Sequence, residues 1–130
     1  MPPNKPSILL AEDEPITRRA IHSALLEMGF VVHPAKDGDE GCALIDELKG
    51  HGPQLLITDI EMPGCGGEEL AQYARQHCGQ IKVLFLSGAP QLDLVKSISA
   101  DPDAGFLMKP FLPANLLAAI RKLGITPALS

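Results

Sequence analysis

The chain has 130 residues, of which 45% are hydrophobic and 21% are charged, and its formal net charge is −5. These values suit one globular domain with its own hydrophobic core and exclude a disordered chain. The 11 basic residues form no run, so we expect no direct contact with nucleic acid or a membrane. The first residues lack the long apolar segment of a secretion signal or membrane anchor, so we expect a cytoplasmic protein.

The cysteines and histidines predict neither a disulfide framework nor a metal site. Three cysteines without C-x-x-C spacing are typical of reduced thiols. We interpret Cys42 and Cys78 as helix packing residues and Cys65 as a loop thiol. The dispersed histidines are His22, His33, His51 and His77.

Apolar segments of strand length alternate with segments of helical spacing along the chain. The predicted strands are Ser7–Ala11, Val31–Ala35, Leu55–Asp59, Lys82–Ser87 and Gly105–Met108. The predicted helices are 16–28, a second that includes Leu44, Ile45 and Leu48, then 68–78, 91–98 and 113–123. Pro15 suits the first turn of the first helix, and Asp37 suits the cap of the second.

This alternation predicts a parallel sheet covered on both faces, because parallel strands need right-handed crossover connections. The segments ILLA, LLIT and VLFL run apolar without alternation, which is typical of strands buried on both faces. We therefore predict an α/β fold with a doubly wound, five-stranded parallel sheet and five helices. The single domain should fill residues 1–130, with a core at about 7–123 and frayed ends at 1–6 and 125–130.

Charged and hydroxyl side chains follow four of the predicted strands. They are Glu12, Asp13 and Glu14 after strand one, Asp59 at the end of strand three, Ser87 at the end of strand four, and Lys109 after strand five. Ligands of open α/β sheets bind at the carboxyl ends of the strands. Clustered carboxylates repel one another, and Mg²⁺ accepts such oxygen ligands together with phosphate. With the compact charge of Lys109, these groups predict a site for a phosphoryl group.

The ordered motifs LLAEDEP, LLITDIEMPG, LFLSG and FLMKPF resemble those of response-regulator receiver domains, the phospho-acceptor half of two-component signalling pairs. The resemblance extends from about Ser7 to Leu123. It implies a flavodoxin-like sheet of strand order 2-1-3-4-5. The chain would be either a stand-alone receiver or a piece of a hybrid kinase or a longer regulator.

The resemblance implies that Asp59 accepts a phosphoryl group from a histidine kinase or a histidine phosphotransfer protein. Asp13 and Asp59 would bind Mg²⁺ directly, Glu12 would bind it through water, and Glu61 would offer its backbone carbonyl. An aspartate ionises at about pH 3.9, so we expect Asp59 to be a carboxylate at neutral pH.

The resemblance also implies that the Ser87 hydroxyl and Lys109 bind the transferred phosphoryl group, and that Phe106 changes rotamer with Ser87. The face of helix four, strand five and helix five would then change its contacts with a downstream protein target. A homodimer that depends on phosphorylation is left open. The protein would phosphorylate and slowly dephosphorylate itself but would not be an enzyme.

Three positions depart from the family pattern. Glu12 stands where an aspartate is common, and it lengthens the reach of the carboxylate by one methylene. Phe106 lacks the hydroxyl of the frequent tyrosine, so a switch would depend on packing. We also expect the acid of Glu61 to change the lifetime of the phosphorylated form. An unchanged dephosphorylation rate in Glu61→Ala would contradict this expectation.

Simpler interpretations exist for several of these residues. Asp59 alone could be a turn residue, Lys109 a solvated loop charge, and Phe106 part of the core. The charges of Glu14, Glu68 and Glu69 suit helix starts, and Gly64–Gly67 suits a flexible connection.

Two other functions are compatible with parts of the pattern. A magnesium-dependent phosphatase of the haloacid dehalogenase type also phosphorylates an aspartate that is followed two residues later by an acid. In that class the nucleophile lies on the first strand, whereas here an acidic pair precedes Asp59 by a βαβ unit. An FMN-binding flavodoxin is disfavoured because an acidic pocket would repel the FMN phosphate.

Overall fold

The computed structural model describes residues 5–48, 52–89 and 92–127. The strands are β1 (Ser7–Ala11), β2 (Val31–Ala35), β3 (Leu55–Asp59), β4 (Lys82–Ser87) and β5 (Ala104–Met108). The helices are α1 (Pro15–Met28), α2 (Gly38–Glu47), α3 (Gly67–Cys78), α4 (Leu92–Ser99) and α5 (Pro113–Lys122). Strand and helix therefore alternate along the described chain, as the sequence predicts.

The five strands form one parallel sheet of order β2-β1-β3-β4-β5. The predicted fold class and strand order are thus confirmed. All five residues of β3 are buried, because this strand lies at the centre of the sheet. Pro34 lies in β2 at the edge, where its missing N–H interrupts no further strand pairing.

The hydrophobic core has two layers, one on each face of the sheet. On one face Leu10 and Ile57 pack with Leu25 of α1 and Ile120 of α5. On the other face the core contains residues of α2, α3 and α4. Successive strand residues point to opposite faces, so the continuous apolar strands supply both layers. The layers fix the heights of the helices, and hence the positions of the loops above the sheet.

The helix starts agree with the sequence. Pro15 occupies the first turn of α1, where its missing N–H costs no helical hydrogen bond. The side chain of Glu14 caps the same helix by accepting from the N–H of Ile16. Asp37 caps α2 and accepts from the N–H of Glu40 at 2.8 Å. These caps fix where the chain leaves the loops after β1 and β2.

The predicted boundaries differ from the structure by one residue at several ends. β5 begins at Ala104 and α3 at Gly67, in each case one residue earlier than predicted. The helix α4 ends at Ser99, and its predicted first residue, Gln91, lies outside the described residues. Helix α5 ends at Lys122, and Leu123 is its cap.

The predicted frayed ends are wrong at two positions. Ile125 is only 8% exposed and packs into the layer formed by α1 and α5. The carbonyl of Pro6 accepts a hydrogen bond from the N–H of Val31 at 3.0 Å. Residues 1–4 and 128–130 of the two predicted ends lie outside the described residues. Among the described helices, none has the length and apolar character needed to cross a bilayer.

Candidate functional site

A pocket of about 260 Å³ lies at the carboxyl ends of the central strands. Its polar lining comes from Asp13 after β1, Asp59 and Glu61 at and after β3, Ser87 at the end of β4, and Lys109 after β5. Parallel strands end at the same edge of a sheet, which explains why these distant residues meet. The structure thus brings together five of the seven predicted site residues in one pocket.

Lys109 is an internal ion-pair partner in this pocket. Its Nζ lies 2.5 Å from Oε1 of Glu12 and 2.5 Å from Oδ1 of Asp59. Burial by itself would lower the pKa of Lys109, but the hydrogen bonds to the two carboxylates outweigh it and raise the pKa. The interpretation of Lys109 as a solvated loop charge is therefore wrong.

Glu12 lies beneath the pocket and is fully buried. One carboxylate oxygen binds Lys109, and the other accepts from the N–H of Glu14 at 3.0 Å. Its backbone carbonyl accepts from Nη1 of Arg18 at 2.9 Å. Burial raises the pKa of Glu12. Hydrogen bonds with Asp59, Lys109 and Glu14 together lower it by more, so the net shift is downward. The contacts of Glu12 therefore favour its ionised form.

Asp59 is 5% exposed and behaves differently from an ordinary aspartate. Burial, followed by the hydrogen bond and charge of Glu12, raises its pKa to about 8, although Lys109 acts in the opposite direction. The expectation of an ordinary pKa for Asp59 is therefore wrong for the site without a metal ion. A nearby positive charge would favour the ionised form and return the pKa toward its usual range.

Three carboxylates are placed for such a cation. Glu12, Asp13 and Asp59 each offer an oxygen, and these oxygens lie within 4.8 Å of one another. Asp13 is exposed at the mouth, whereas the other two acids are buried. Lys109 supplies a single positive charge beside these three acids, so the donor set fits a hard divalent ion such as Mg²⁺. Within 5–48, 52–89 and 92–127 no histidine joins such a cluster, and His51 lies outside these ranges.

Ser87 and Phe106 occupy the positions expected from the sheet order. The Ser87 hydroxyl donates to the carbonyl of Ala89 at 2.7 Å and accepts from the N–H of Ala89 at 3.2 Å. Phe106 pairs with Phe85 across β4 and β5 and packs half-buried against the layer of α2, α3 and α4. The Phe106 contacts agree with the simpler interpretation as a core residue, and its proposed rotamer change stays a prediction.

The backbone of Asp59 is fixed from two sides. The Thr58 hydroxyl donates to the Asp59 carbonyl at 2.9 Å. A β-carbon at Gly67 would lie 2.0 Å from the same carbonyl oxygen, so only glycine allows α3 to begin there. The interpretation of this glycine as part of a flexible connection is therefore wrong.

Sequence reasoning missed the roles of Arg18, Gly67 and the side chain of Glu12 as a lysine partner. Gly67 carries a signal, because glycine often marks a close approach of two backbones. Arg18 carries none, since an arginine on a helix is usually solvated. The Lys109–Glu12 contact follows only from the three-dimensional position of β5 relative to β1.

Comparison with known proteins agrees with this geometry. The family model of the response regulator receiver domain matches residues 8–121. The response regulator receiver protein CpdR of Brucella abortus strain 2308 is 36% identical over 117 residues, which cover 89% of this chain and 94% of CpdR. The sensor kinase CckA of the same organism is 32% identical over 117 residues, which cover 90% of this chain but only 12% of the kinase.

A solved structure shows the same fold. The crystal structure of a response regulator receiver protein from Sinorhizobium medicae WSM419 has 28% sequence identity and a TM-score of 0.79, covering 91% of this chain and 93% of that chain. The chain thus spans a small part of one curated relative and nearly all of another. The family match and the acidic pocket together show that this chain belongs to the response regulator receiver domain family and is a receiver domain of two-component signalling.

Proposed function

We propose that Asp59 is the phospho-acceptor and takes its phosphoryl group from a phosphohistidine of a histidine kinase or histidine phosphotransfer protein. The observation that carries this assignment is the ion pair between Asp59 and Lys109 in a pocket that Asp13 and Ser87 also line. Phosphoryl transfer needs mainly positioning and neutralisation of charge on the phosphoryl oxygens. This pocket offers a nucleophile, a cation and a hydroxyl within one small volume.

In the proposed reaction, a carboxylate oxygen of Asp59 bonds to phosphorus while the phosphorus–nitrogen bond of the donor breaks. The histidine nitrogen keeps the electron pair of the broken bond. Lys109 transfers its contact from the carboxylate to a phosphoryl oxygen. The Ser87 hydroxyl leaves the carbonyl of Ala89 and donates to another phosphoryl oxygen.

Mg²⁺ would be held by Asp13 and Asp59, by Glu12 through water, and by the backbone carbonyl of Glu61. When bound, it supplies positive charge that stabilises the ionised carboxylate and the transferred phosphoryl oxygens. The cluster of three carboxylates beside a single lysine supports this role, because a divalent cation would offset their repulsion. We propose that the Glu61 side chain, exposed at the pocket, changes how water reaches the acyl phosphate.

We propose that the donor protein docks above the pocket. Ile16, in the first turn of α1, is 77% exposed, and Leu112, which precedes α5, is 68% exposed. These side chains follow the loops that carry Asp13 and Lys109. Exposed large hydrophobic side chains beside a polar pocket suit a protein contact. We propose that the protein meets these partners in the cytoplasm.

We propose that phosphorylation changes contacts on the face of α4, β5 and α5. A cavity of about 540 Å³ lies between these elements, and Phe106 and Ile98 contribute to its lining. Such a cavity leaves Phe106 space to repack when Ser87 moves, which would bias an equilibrium between two packings. The output is then a contact with a downstream protein or, as an alternative outcome, with a second copy of this chain.

We propose that the whole chain acts as one receiver domain, stand-alone or within a longer protein. Both arrangements occur among its relatives, since it covers 94% of CpdR but 12% of CckA. We also propose that it is no turnover enzyme. Asp59 lies on the third strand, after an acidic pair on the first, unlike the nucleophile of haloacid dehalogenase-type phosphatases.

The test is incubation of the full chain with a small acyl phosphate and Mg²⁺, followed by intact mass measurement. We expect one phosphoryl group on the wild type and none on Asp59→Asn. Asp93→Asn, an exposed change on α4, is the matched control and should be labelled normally. Undiminished labelling of Asp59→Asn would exclude Asp59 as the acceptor. Catalytic release of phosphate from a small phosphate ester would instead favour the phosphatase.

A further inference from the structure

Two cysteines from different elements meet outside the phosphoryl pocket. Cys42 lies on α2, and Cys65 lies in the loop that joins β3 to α3. Both side chains are half-buried, both are free thiols, and both pack against the layer formed by α2, α3 and α4. This pair belongs to no part of the proposed phosphoryl transfer.

The backbone geometry places the first turn of α2, one turn before Cys42, directly against Cys65. A β-carbon at Gly38 would lie 1.9 Å from the carbonyl oxygen of Cys65 and 2.8 Å from its β-carbon. Gly38 and Cys42 are four residues apart in α2, so they share one face of the helix. Helical side chains lean toward the helix N-terminus, so the thiol of Cys42 points back toward Gly38 and hence toward Cys65. The Cys65 thiol donates to the carbonyl of Gly66 at 3.6 Å, and the two thiols are close enough for each to shift the pKa of the other.

The third cysteine is in a different environment. Cys78 is the last residue of α3, and its sulfur lies 3.0 Å from where a β-carbon at Gly52 would be. This contact is near the amino ends of the strands, because Gly52 lies shortly before β3. Cys78 can therefore be replaced without removing either of the two proposed partners.

We propose that Cys42 and Cys65 form a dithiol site that small-molecule disulfides oxidise to an intramolecular disulfide, which ties the β3–α3 loop to α2. This inference goes beyond the proposed phosphoryl transfer and does not depend on it. The crosslink would fix the loop that begins directly after Asp59.

The reaction balances as two thiol–disulfide exchanges. The Cys65 sulfur, after losing its proton, attacks one sulfur of the small disulfide and releases the first small thiol. The Cys42 sulfur, after losing its proton, then attacks the Cys65 sulfur and releases the second small thiol. The two protein sulfurs lose two electrons in total, the small disulfide gains them, and the two protons end on the two small thiols.

The electrostatics assign the order of attack. Burial, then the charge and hydrogen bond of Cys65, raise the pKa of Cys42 to about 11, with further contributions from Asp39 and Asp46. Burial also raises the pKa of Cys65, as do Glu69 and Asp39, but the hydrogen bond from Cys42 lowers it. Cys65 is therefore the better first nucleophile. The initial attack is slow among these acids, whereas the second step is fast because its partner is already adjacent.

The test uses the full-length Cys78→Ser protein, which keeps only the two proposed partners. It is incubated with oxidised glutathione, treated with an alkylating reagent, and measured by intact mass without reduction. We expect the protein to lose the mass of two hydrogen atoms, to take up no alkylating reagent, and to yield a Cys42–Cys65 peptide pair on digestion. Adding Cys42→Ser or Cys65→Ser should leave a thiol that is alkylated or carries glutathione.

Two measurements separate a built site from chance pairing. At a fixed ratio of oxidised to reduced glutathione, the folded protein should favour the disulfide over mixed glutathione adducts at least about tenfold more than the same protein in denaturant does, because folding holds the thiols together. Its unfolding temperature should rise on oxidation and return on reduction, since a crosslink restricts the unfolded chain. Glutathione adducts on the folded Cys78→Ser protein in place of the disulfide, or the same ratio of disulfide to adducts in the folded and denatured states, would overturn the proposal.

Discussion

Lys109 and Glu12, which are 97 residues apart in the sequence, form an ion pair in which Nζ lies 2.5 Å from Oε1. Glu12 is fully buried, so this contact anchors the lysine from beneath the pocket. The second contact of Lys109, with Asp59, faces the pocket. The position of the only cation that lines the described pocket is therefore set by a residue of the first loop.

Removing the lysine charge should destabilise the fold strongly. In Lys109→Met, two buried carboxylates lose their shared partner, and we expect a loss of about 3–5 kcal/mol in the free energy of unfolding. Urea denaturation in the presence of a chelator measures it. Lys96→Met, an exposed change on α4, should stay within about 0.5 kcal/mol of wild type. Equal stabilities of the two variants would contradict the anchoring role.

Two adjacent glycines offer a matched test of the contact between α3 and Asp59. A β-carbon at Gly67 would lie 2.0 Å from the Asp59 carbonyl oxygen, whereas one at Gly66 would lie 3.4 Å from its nearest neighbour, the Ile60 carbonyl oxygen. We expect Gly67→Ala to cost about 1–3 kcal/mol of unfolding free energy and to slow phosphorylation, because Asp59 must shift. Gly66→Ala should cost less than Gly67→Ala. Equal costs would show that the close approach relaxes freely.

Magnesium should stabilise the protein through the acidic cluster. At about 100 times the dissociation constant, a ligand of the folded state adds about 2.7 kcal/mol to the free energy of unfolding. We expect this gain in the wild type and in Asp93→Asn, and a much smaller gain in Asp13→Asn, which removes an exposed ligand of the cluster. Thermal unfolding with and without chelator measures the gain. A full gain in Asp13→Asn would place the ion elsewhere.

Asp101 gives a dependence of stability on pH that is separate from the pocket. The backbone N–H of Asp103 donates to the Asp101 carboxylate at 2.8 Å, and Arg75 forms an ion pair with the same carboxylate at 2.8 Å. Both contacts lower the pKa of Asp101, the hydrogen bond from Asp103 more than the ion pair. A lowered folded pKa gives stability above the unfolded value of about 3.9, which is lost as the pH falls through the folded value.

We therefore expect Asp101→Asn to be less stable than wild type near neutral pH, with a difference that shrinks below about pH 4. Urea denaturation at several pH values measures the difference between the two proteins. A difference that stays constant down to pH 2 would show that the ionised carboxylate adds nothing to stability.

The fold was predictable because each central strand carries its own signal. Continuous apolar strands with intervening helical spacing allow few arrangements other than a doubly wound parallel sheet. The same logic predicts that Asp13, Asp59, Ser87 and Lys109 share one edge, and the structure places them around one pocket. Strand ends are readable from sequence because the change from apolar to charged residues coincides with the end of the sheet.

The remaining features depend on distances that the sequence does not contain. The pKa of Asp59 follows from burial and from the approach of Glu12, neither of which composition reveals. The core position of Ile125 depends on a turn after α5 that returns the chain to the sheet. The close approach of Gly38 to Cys65 requires α2 to pack against a loop that follows it by one strand. In each case the feature depends on tertiary packing, which the local sequence pattern does not determine.

The hydrogen bond from Arg18 to the first acidic loop reaches the main-chain carbonyl of Glu12, not its carboxylate. Every amino acid carries that carbonyl, so exchanging glutamate for aspartate at position 12 leaves this bond intact. The exchange alters how far the acid reaches toward Lys109 and toward the N–H of Glu14. The link between α1 and this loop is thus independent of which acid stands at position 12, while the length of that side chain adjusts how firmly the lysine is held.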